Sequence, residues 1–439
     1  CPENFASQDE PVRSLCDANA RRGHAMTGTP LRVARRGVVR FLVEAQHLRR
    51  SATHDSRAPA TPAAVLREIR HLECVQIDPV SVVERNQHLV LAARLPGYRP
   101  ETLGELLRRR RVFEYWANAA CAVPIEDYPL FEGTRRRFRR RLAPHLTALR
   151  SVVRHVLAEL DARGPLTARA FVSDHRVRGA WDLGDPKTKA TSHALSLLLK
   201  VGDIVVVKRR GLERHFDLPE KGLPADLVAR ARALTPADAD ELLLEKYLRA
   251  YRVFDAGDPR FGWQAMTATA RRAVLQRRVQ KGAIVPLTID GVGRQYFVRA
   301  EDVPALQRDE RTAGPETASG EEAPMHFLAP LDNLLWRRSR IVDLFRFDYT
   351  WEVYLPPPKR RYGHYAMPML FGDRLVGRLD PQLDREHGRL VIRLLHLEPR
   401  VRVTARLRSA FRTALEAFAR FHGASDIQIT RTIPAGLRL

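Results

Sequence analysis

Apolar residues recur at helical spacing in the N-terminal quarter of the chain, and they predict two helices there. Thr29-Pro30 has the form of a helix N-cap followed by a proline at the first helical position, so the apolar positions from 31 to 45 predict a first helix. Thr61-Pro62 repeats this device and predicts a second helix. The second helix leads into a short run that ends at Asp78-Pro79.

The middle of the chain contains an internal repeat. Gly202-Asp203-Ile204-Val205 corresponds to Gly282-Ala283-Ile284-Val285, 80 residues later, and each copy follows an amphipathic helix. In both copies a β-branched run reaches a polar turn with glycine and then a strand with aromatic residues. Helices followed by a two-stranded wing are typical of a winged helix-turn-helix, a unit whose usual partner is duplex DNA.

The last third of the chain has a different pattern. Residues 308–324 are poor in large apolar side chains and predict a linker. Short alternating stretches follow, among them residues 351–354 and 390–393, with turn residues at 372–373 and 387–388. These stretches predict a small β-barrel or sheet. Apolar residues at helical spacing from 401 to 421 predict an amphipathic helix that closes the chain.

The charge balance adds a polyanionic partner to this picture. The chain of 439 residues has 74 Lys and Arg against 51 Asp and Glu, a formal net charge of +23 at pH 7. Nucleic acid is therefore the expected partner, although arginine-rich genomes raise the pI of whole proteomes and charge alone leaves an ordinary soluble protein open. The length predicts two to four domains.

Metal and cofactor sites are not expected. The four cysteines, Cys1, Cys16, Cys74 and Cys121, are too irregularly spaced for a zinc site, and the histidines show no metal-binding spacing. No glycine-rich phosphate loop is present. The sequence has no stretch of 18 apolar residues and no apolar signal-peptide core, so we expect a cytoplasmic protein without a membrane span. Residues 1–27 are interpreted as a non-native or disordered leader.

The chemistry centres on Gln76 and Asp78, which lie two positions apart with apolar Val75 and Ile77 beside them. On a strand, both polar side chains project to the same face. A carboxylate beside an amide can hold and polarise one water molecule, with Asp78 as general base or counter-charge and Gln76 as the orienting partner. The structural alternative is that Asp78 only caps the turn into Pro79.

Several motifs resemble the AlkZ/YcaQ (AlkX) family of winged-helix alkylpurine and interstrand-crosslink DNA glycosylases. The similarity extends from about residue 31 to about residue 400. The family's active-site motif is Gln, an aliphatic residue, then Gln or Asp, and Gln76-Ile77-Asp78 has the Asp form of the crosslink-unhooking branch. The matching segments are VQIDPVSVV at 75–83, NQHLVL at 86–91, FEYW at 113–116, DNLLW at 332–336, WEVYLP at 351–356, KRRYGHY at 359–365 and GDRLVGRLD at 372–380.

The resemblance implies an α+β fold in which three tandem winged-helix units surround a small C-terminal β-barrel, closed by a C-terminal helix. The expected units are a first winged-helix unit with the Gln-x-Asp motif at 28–150, a second at 151–224, a third at 225–307, a linker at 308–324, the β-barrel at 325–400, and the C-terminal helix and tail at 401–439.

The resemblance also implies an activity, the hydrolysis of the N-glycosidic bond of N7- or N3-alkylated purines. Such a purine already carries positive charge and departs readily, so a single carboxylate can stabilise the oxocarbenium-like sugar. No lysine at the motif suggests a Schiff base, so no lyase step is expected. The expected partner is double-stranded DNA with alkylated or crosslinked purines, and a wrapped single chain favours a monomer. The alternative is a non-catalytic winged-helix DNA-binding protein or transcriptional regulator.

Two groups of residues are expected to support the site. Glu114, Tyr115, Trp116 and Asn118 follow the motif, although family members commonly have His-Glu where this chain has Asn118-Ala119, and the aromatic residues are equally typical of a core. Arg337 replaces a usual acidic residue and is interpreted as a change on the barrel surface. The candidate phosphate contacts, with a solvated surface as their alternative, are Arg108, Arg109, Arg135, Arg136, Arg137, Lys359, Arg360 and Arg361.

Overall fold

The computed structural model describes residues 29–49, 58–179, 182, 185–312 and 323–437. The interpretation of residues 1–27 as a leader lies outside the described residues. The first part of the fold combines short strands with helices and carries the Gln-x-Asp motif. Its elements are β1 Leu31–Val33, α1 Arg35–Ala45, α2 Pro62–His71, β2 Val75–Gln76, α3 Asn86–Ala92, α4 Pro100–Arg108, β3 Val112–Trp116 and β4 Ala120–Pro124.

The middle of the chain consists of long helices that alternate with β-hairpins. Its first half contains α5 Glu132–Ala148, α6 Arg150–Arg163, β5 Leu166–Thr167, β6 Arg176–Val177, β7 Thr188–Lys189, α7 Ala190–Val201, β8 Val205–Arg210 and β9 Glu213–Asp217. Its second half contains α8 Pro219–Gly222, α9 Ala225–Ala233, α10 Pro236–Tyr251, β10 Val253–Phe254, α11 Ala268–Gln280, β11 Ile284–Ile289, β12 Tyr296–Arg299 and α12 Val303–Arg311.

The C-terminal part is a sheet with two helices. Its elements are β13 Met325–Phe327, α13 Arg338–Phe345, β14 Met367–Phe371, β15 Arg374–Asp384, β16 Arg389–Leu397, α14 Ala405–Phe421, β17 Asp426–Ile429 and β18 Thr432–Ile433. The strand order is β13-β14-β15-β16-β17, and β18 also pairs with β16. Among the described residues no pairing joins β13 to β17, so this sheet is open where the sequence predicted a barrel.

Both hairpins predicted from the internal repeat are confirmed. Strands β8 and β9 pair antiparallel, with Gly211 at a φ of 60° in their turn, a backbone conformation that favours glycine. Strands β11 and β12 also pair antiparallel, and each hairpin follows a helix, α7 or α11. The turns at 372–373 and 387–388 are confirmed, and so is the helix predicted near the C-terminus, as α14. This helix does not close the chain, because β17 and β18 follow it and pair with β16.

The first predicted helix begins later than expected, because residues Leu31–Val33 form a strand. This strand pairs in parallel with β11, and Leu31 lies opposite Leu287. Thr29-Pro30 is therefore not a helix cap, since an open sheet edge captures the residues that follow. Helix α1 then packs on α12 so closely that a Cβ on Gly37 would lie 2.9 Å from the Cα of Glu310.

Two other expectations are corrected by the structure. Residues Glu352–Tyr354 form a 3-10 turn, not a strand, because the Glu352 carboxylate accepts backbone hydrogen bonds from residues 361–363 and closes a loop. The predicted linker starts too early, since residues 308–311 are the last turn of α12, and residues 313–322 lie outside the described residues. No helix in the described part of the chain is both long and apolar enough to cross a bilayer.

Candidate active site

The Gln-x-Asp motif lies at the end of a three-stranded sheet of order β2-β4-β3. Gln76 is opposite Cys121 on β4, and the pairing continues to Ile77, whose amide donates to the Ala120 carbonyl at 2.8 Å. The chain then turns away at Asp78. The motif therefore begins as buried strand and ends as a half-buried turn.

A chain of hydrogen bonds holds the Gln76 side chain from behind. Asn118 Nδ2 donates to Gln76 Oε1 at 3.0 Å, and the Tyr251 hydroxyl donates to Asn118 Oδ1 at 3.0 Å. All three residues are buried. The Gln76 Nε2 has no hydrogen-bond partner among the described residues, yet it is not shut off from solvent. The amide is thus anchored by its oxygen and leaves its donor group available.

The backbone of the motif is held by the start of α3. Asn86 Nδ2 donates to the Gln76 carbonyl at 2.8 Å, and the Asp78 amide donates to Gln87 Oε1 at 3.2 Å. Asn86 Oδ1 in turn accepts from the Leu331 amide at 3.1 Å. These buried amides explain why Asn86 and Gln87 open a helix that ends in four apolar residues, since they satisfy backbone groups of the motif.

Asp78 has an open environment by comparison. Its Oδ1 accepts a hydrogen bond from the Val80 amide at 2.9 Å, which confirms that it caps the turn. The second oxygen has no hydrogen-bond or ion-pair partner among the described residues and is not excluded from solvent. Burial raises the pKa of Asp78, and the Val80 hydrogen bond offsets only part of this effect. Capping the turn therefore leaves one oxygen available for chemistry.

A loop of the C-terminal part of the fold lies near Asp78. We call it the rim loop, and it contains Trp351, Tyr354, Lys359 and Arg361. Burial and the charge of Asp78 both raise the pKa of Tyr354, which places this tyrosine within electrostatic range of the carboxylate. Tyr354 is 68% exposed and packs edge to face on Trp351. Lys359 and Arg361 are exposed in the same loop, whereas Arg360 is half-buried and donates to the Leu355 carbonyl at 2.8 Å.

The surroundings of the motif come from two further elements. Arg85 donates to the Gly211 carbonyl in the β8–β9 turn at 3.1 Å, and Arg385 donates to the Val83 carbonyl at 3.0 Å. The hairpin of the middle part and the sheet of the C-terminal part therefore both contact the segment that follows Asp78. Among the described residues no cluster of three or more His, Cys, Asp or Glu is suited to hold a metal ion.

The four predicted support residues have different environments. Glu114 forms a two-point ion pair with Arg209 on β8, with Nη2 and Oε2 2.7 Å apart, and so links the motif sheet to the hairpin. Tyr115 lies in the core and its hydroxyl donates to the Lys200 carbonyl, whereas Trp116 is half-buried against Phe138. Of the four, Asn118 alone is bonded to the side chain of a motif residue.

The arginines of α5 are held by protein partners. Arg135 is 4% exposed, donates twice to the Tyr128 carbonyl at 3.1 Å and pairs with Glu132. Arg136 also pairs with Glu132, and Arg137 pairs with Asp240. These contacts argue against a DNA-binding role, because an arginine whose donors already contact carboxylates and carbonyls has few donors left for a phosphate.

The two candidate arginines of the first part of the fold remain at the surface. Arg108 and Arg109 are exposed at the end of α4, and Arg109 pairs with Glu105 at 2.7 Å across one helical turn. Arg108 has no ion-pair partner among the described residues. An exposed pair of this type is weak and leaves both guanidinium groups accessible.

A family model described as DNA glycosylase AlkZ-like matches residues 69–421, a range that includes both Gln76 and Asp78. The chain belongs to the AlkZ-like DNA glycosylase family. This assignment confirms the resemblance drawn from the motifs, and DNA glycosylases hydrolyse N-glycosyl bonds in DNA repair.

A solved structure agrees with the assignment at the level of the fold. This AlkZ-like chain is similar to the DNA glycosylase AlkZ of Streptomyces sahachiroi, with a TM-score of 0.59 and 18% sequence identity. The match covers 92% of this chain and 100% of that chain. The two chains therefore share a fold, which in this chain is a mixed α/β fold with an open sheet near the C-terminus.

Sequence reasoning missed three residues of this AlkZ-like site. Tyr251, which bonds Asn118, is 133 positions away from it, and no local pattern links the two. Arg209 was likewise not linked to Glu114. Tyr354 belongs to one of the resembling motifs, but only the fold places it near Asp78. Arg337 was also misplaced, because it forms a two-point ion pair with Asp255 at 2.9 and 3.0 Å and is not a barrel-surface residue.

Proposed function

We propose that this AlkZ-like protein is a monofunctional DNA glycosylase that hydrolyses the N-glycosidic bond of N7- or N3-alkylated purines and unhooks interstrand crosslinks built on such purines. The observation that carries the proposal is the environment of the Asp78 carboxylate. The carboxylate is half-buried, has no cation paired with it among the described residues and keeps one oxygen open. A carboxylate left unpaired in a chain of net charge +23 favours a catalytic role over a structural one.

The reaction requires little from the protein beyond this group. An alkylated purine is cationic, so the bond to the sugar breaks with electrons moving to the base and with little need for an acid. The sugar develops positive charge as the base leaves, and the carboxylate of Asp78 stabilises that charge in a partly desolvated site. A water held by Asp78 and Gln76 then gives its proton to the carboxylate and adds to the sugar carbon.

The proposed DNA surface combines the rim loop with the helix-plus-hairpin units. We assign the three units predicted from the sequence to winged helices that hold duplex DNA around the motif, and we expect a cytoplasmic monomer. Lys359, Arg361 and Arg108 are the proposed phosphate contacts, because each is exposed and none has an ion-pair partner among the described residues. Arg135, Arg136 and Arg137 do not belong to this surface.

The decisive experiment is single-turnover release of 7-methylguanine from duplex DNA by the wild type and by Asp78→Asn. Asparagine keeps the oxygen that accepts from Val80 and removes the charge, so the turn survives while the reaction slows by on the order of 100-fold or more. Equal rates for the two proteins would remove Asp78 from the mechanism. Absence of release by the wild type from both this substrate and a crosslinked duplex would favour the non-catalytic DNA-binding alternative.

The pH dependence gives a second check on the same carboxylate. The base form of Asp78 is the active one, so the rate falls as the pH drops through its pKa. Because burial raises that pKa, the acid limb lies above the ordinary aspartate value of about 3.9. The pH–rate profile of the wild type should show this limb, and the residual rate of Asp78→Asn should lack it. A limb that persists in the variant would belong to another group.

A further inference from the structure

We propose that Asn118 and Tyr251 are positioning residues that fix which end of the Gln76 amide faces the open side of the motif. The inference rests on the proposed function, because it assigns a donor to the water that Asp78 activates. The starting observation is that a tyrosine, an asparagine and a glutamine form one buried chain of hydrogen bonds that ends at the motif.

The direction of this chain is defined by its donors. The Tyr251 hydroxyl donates to Asn118 Oδ1, which leaves Asn118 Nδ2 as the group that meets Gln76. Nδ2 can only donate, so Gln76 must present its oxygen to Asn118 and its Nε2 to the other side. The orientation of the Asn118 amide, whose oxygen accepts from Tyr251, thus sets the orientation of the Gln76 amide two residues before Asp78.

The rest of the structure holds this chain in place. The Tyr251 ring stacks on Tyr247 with centroids 4.1 Å apart and also packs near Trp336. Asn118 belongs to the turn between β3 and β4, where the Ala117 amide donates to the Ala119 carbonyl at 2.9 Å. Asn86 holds the Gln76 backbone through its carbonyl. Both ends of the amide chain are therefore anchored in rigid elements.

The orientation matters for the chemistry beside it. With Nε2 directed outward, the motif offers one donor from Gln76 and one acceptor from Asp78. A water that accepts from the first and donates to the second is held in one orientation and is activated by the carboxylate. With the amide reversed, both groups would accept, and the water would lose the donor that fixes its oxygen.

Asn118→Asp is the variant that tests the orientation directly. A carboxylate accepts from Tyr251 and from Gln76 Nε2, so it reverses the amide, whereas Asn118→Ala only releases it. We expect Asn118→Asp to lower the single-turnover rate constant on the order of 100-fold, more than Asn118→Ala does, with little change in DNA affinity. Gln76→Glu should reproduce the loss, because it keeps the oxygen that accepts from Asn118 and removes the outward donor.

The control is a mutant cycle with Gln76→Ala. In that background Asn118→Asp, Asn118→Ala and Tyr251→Phe should have no further effect on the rate constant, because no amide is left to orient. Tyr251→Phe keeps the ring packing and removes one hydroxyl, so it tests the chain even if Asn118→Asp folds poorly. Losses that persist unchanged in the Gln76→Ala background, or equal rates for Asn118→Asp and Asn118→Ala, would overturn the inference. A wild type without activity would instead reject the proposed function.

Discussion

Gln76 and Asp78 are separated by one residue, yet they lie in opposite surroundings. Gln76 is 8% exposed, and its carbonyl and side-chain oxygens both accept hydrogen bonds from buried asparagines. Asp78 is half-buried, and one of its oxygens has no partner among the described residues. The motif therefore has a fixed half that the fold completes and an open half that is available to a substrate. Preorganised polar groups of the first type and available charges of the second are both needed for catalysis.

The basic residues likewise divide into enclosed and exposed ones. Arg135 on α5 is enclosed by Tyr128 and Glu132, with its guanidinium 4.0 Å from the Tyr128 ring centroid. Lys359 and Arg361 are exposed in the rim loop without an ion-pair partner among the described residues, although the Arg361 guanidinium lies 4.9 Å from the Tyr362 ring centroid. Clusters of arginine in a sequence are therefore poor evidence for DNA contact until the carboxylates that face them are known.

The largest effect on the fixed half is expected from Lys246→Ala. This lysine is fully buried. It donates at 2.8 Å to Glu73, which lies just before the strand that carries Gln76, and at 2.6 Å to Asp127. Its loss leaves Asp127 without this cation and Glu73 with Arg249 alone, so we expect the free energy of unfolding to fall by about 3–5 kcal/mol. Denaturant unfolding measures this change. The exposed Lys281 is the matched control, and an equal loss in Lys281→Ala would contradict the assignment.

Arg135→Ala should separate structural from DNA-binding arginines. It removes hydrogen bonds to the Tyr128 carbonyl and a buried ion pair, so we expect a loss of stability of about 3 kcal/mol. The dependence of DNA affinity on salt concentration should not change, since this guanidinium is buried. Arg140→Ala, at an exposed position of the same helix, should leave stability unchanged. A reduced salt dependence with wild-type stability would instead restore Arg135 to the DNA surface.

The sequence predicted most of the fold that local patterns govern. The hairpins of the internal repeat and the helix α14 were predicted from turn residues and from hydrophobic periodicity. Both signals lie within the segments that form these elements. The strand Leu31–Val33 could not be predicted in this way, because it forms only against β11, more than 250 positions later. Likewise Glu352 turns an alternating stretch into a loop through hydrogen bonds to residues 361–363.

The candidate site was likewise predicted only in part. Gln76 and Asp78 were identified from their spacing and from the motif they share with the family. Their partners were not, because Asn118 reaches Tyr251 and Glu114 reaches Arg209 across large separations in the chain. A single sequence carries no signal for such pairs, and only the packed structure shows which polar group each buried side chain satisfies.

The double variant Lys359→Ala and Arg361→Ala tests the exposed basic residues of the rim loop, which lies near the open half of the motif. If each residue neutralises one phosphate, the slope of log affinity against log salt should decrease by about 2, equally for damaged and undamaged duplex. Stability should not change, because both side chains are exposed. Arg408 and Arg412, exposed on α14, provide a control of equal charge. If this control pair reduced the slope by the same amount, the effect would reflect net charge and not the rim loop.

The smallest effect is expected from Asp78→Asn on stability. Burial raises the pKa of Asp78 in the folded protein, so the folded state binds the proton more tightly than the unfolded state and ionisation of Asp78 opposes folding above that pKa. The variant should therefore unfold with a free energy higher by less than about 1 kcal/mol at pH 7, since partial exposure screens the charge. The difference should shrink as the pH falls through the pKa of the folded wild type. Asp78→Ala removes the same charge but also the Val80 hydrogen bond, so it should gain less, and a destabilised Asp78→Asn would show that the carboxylate is structural.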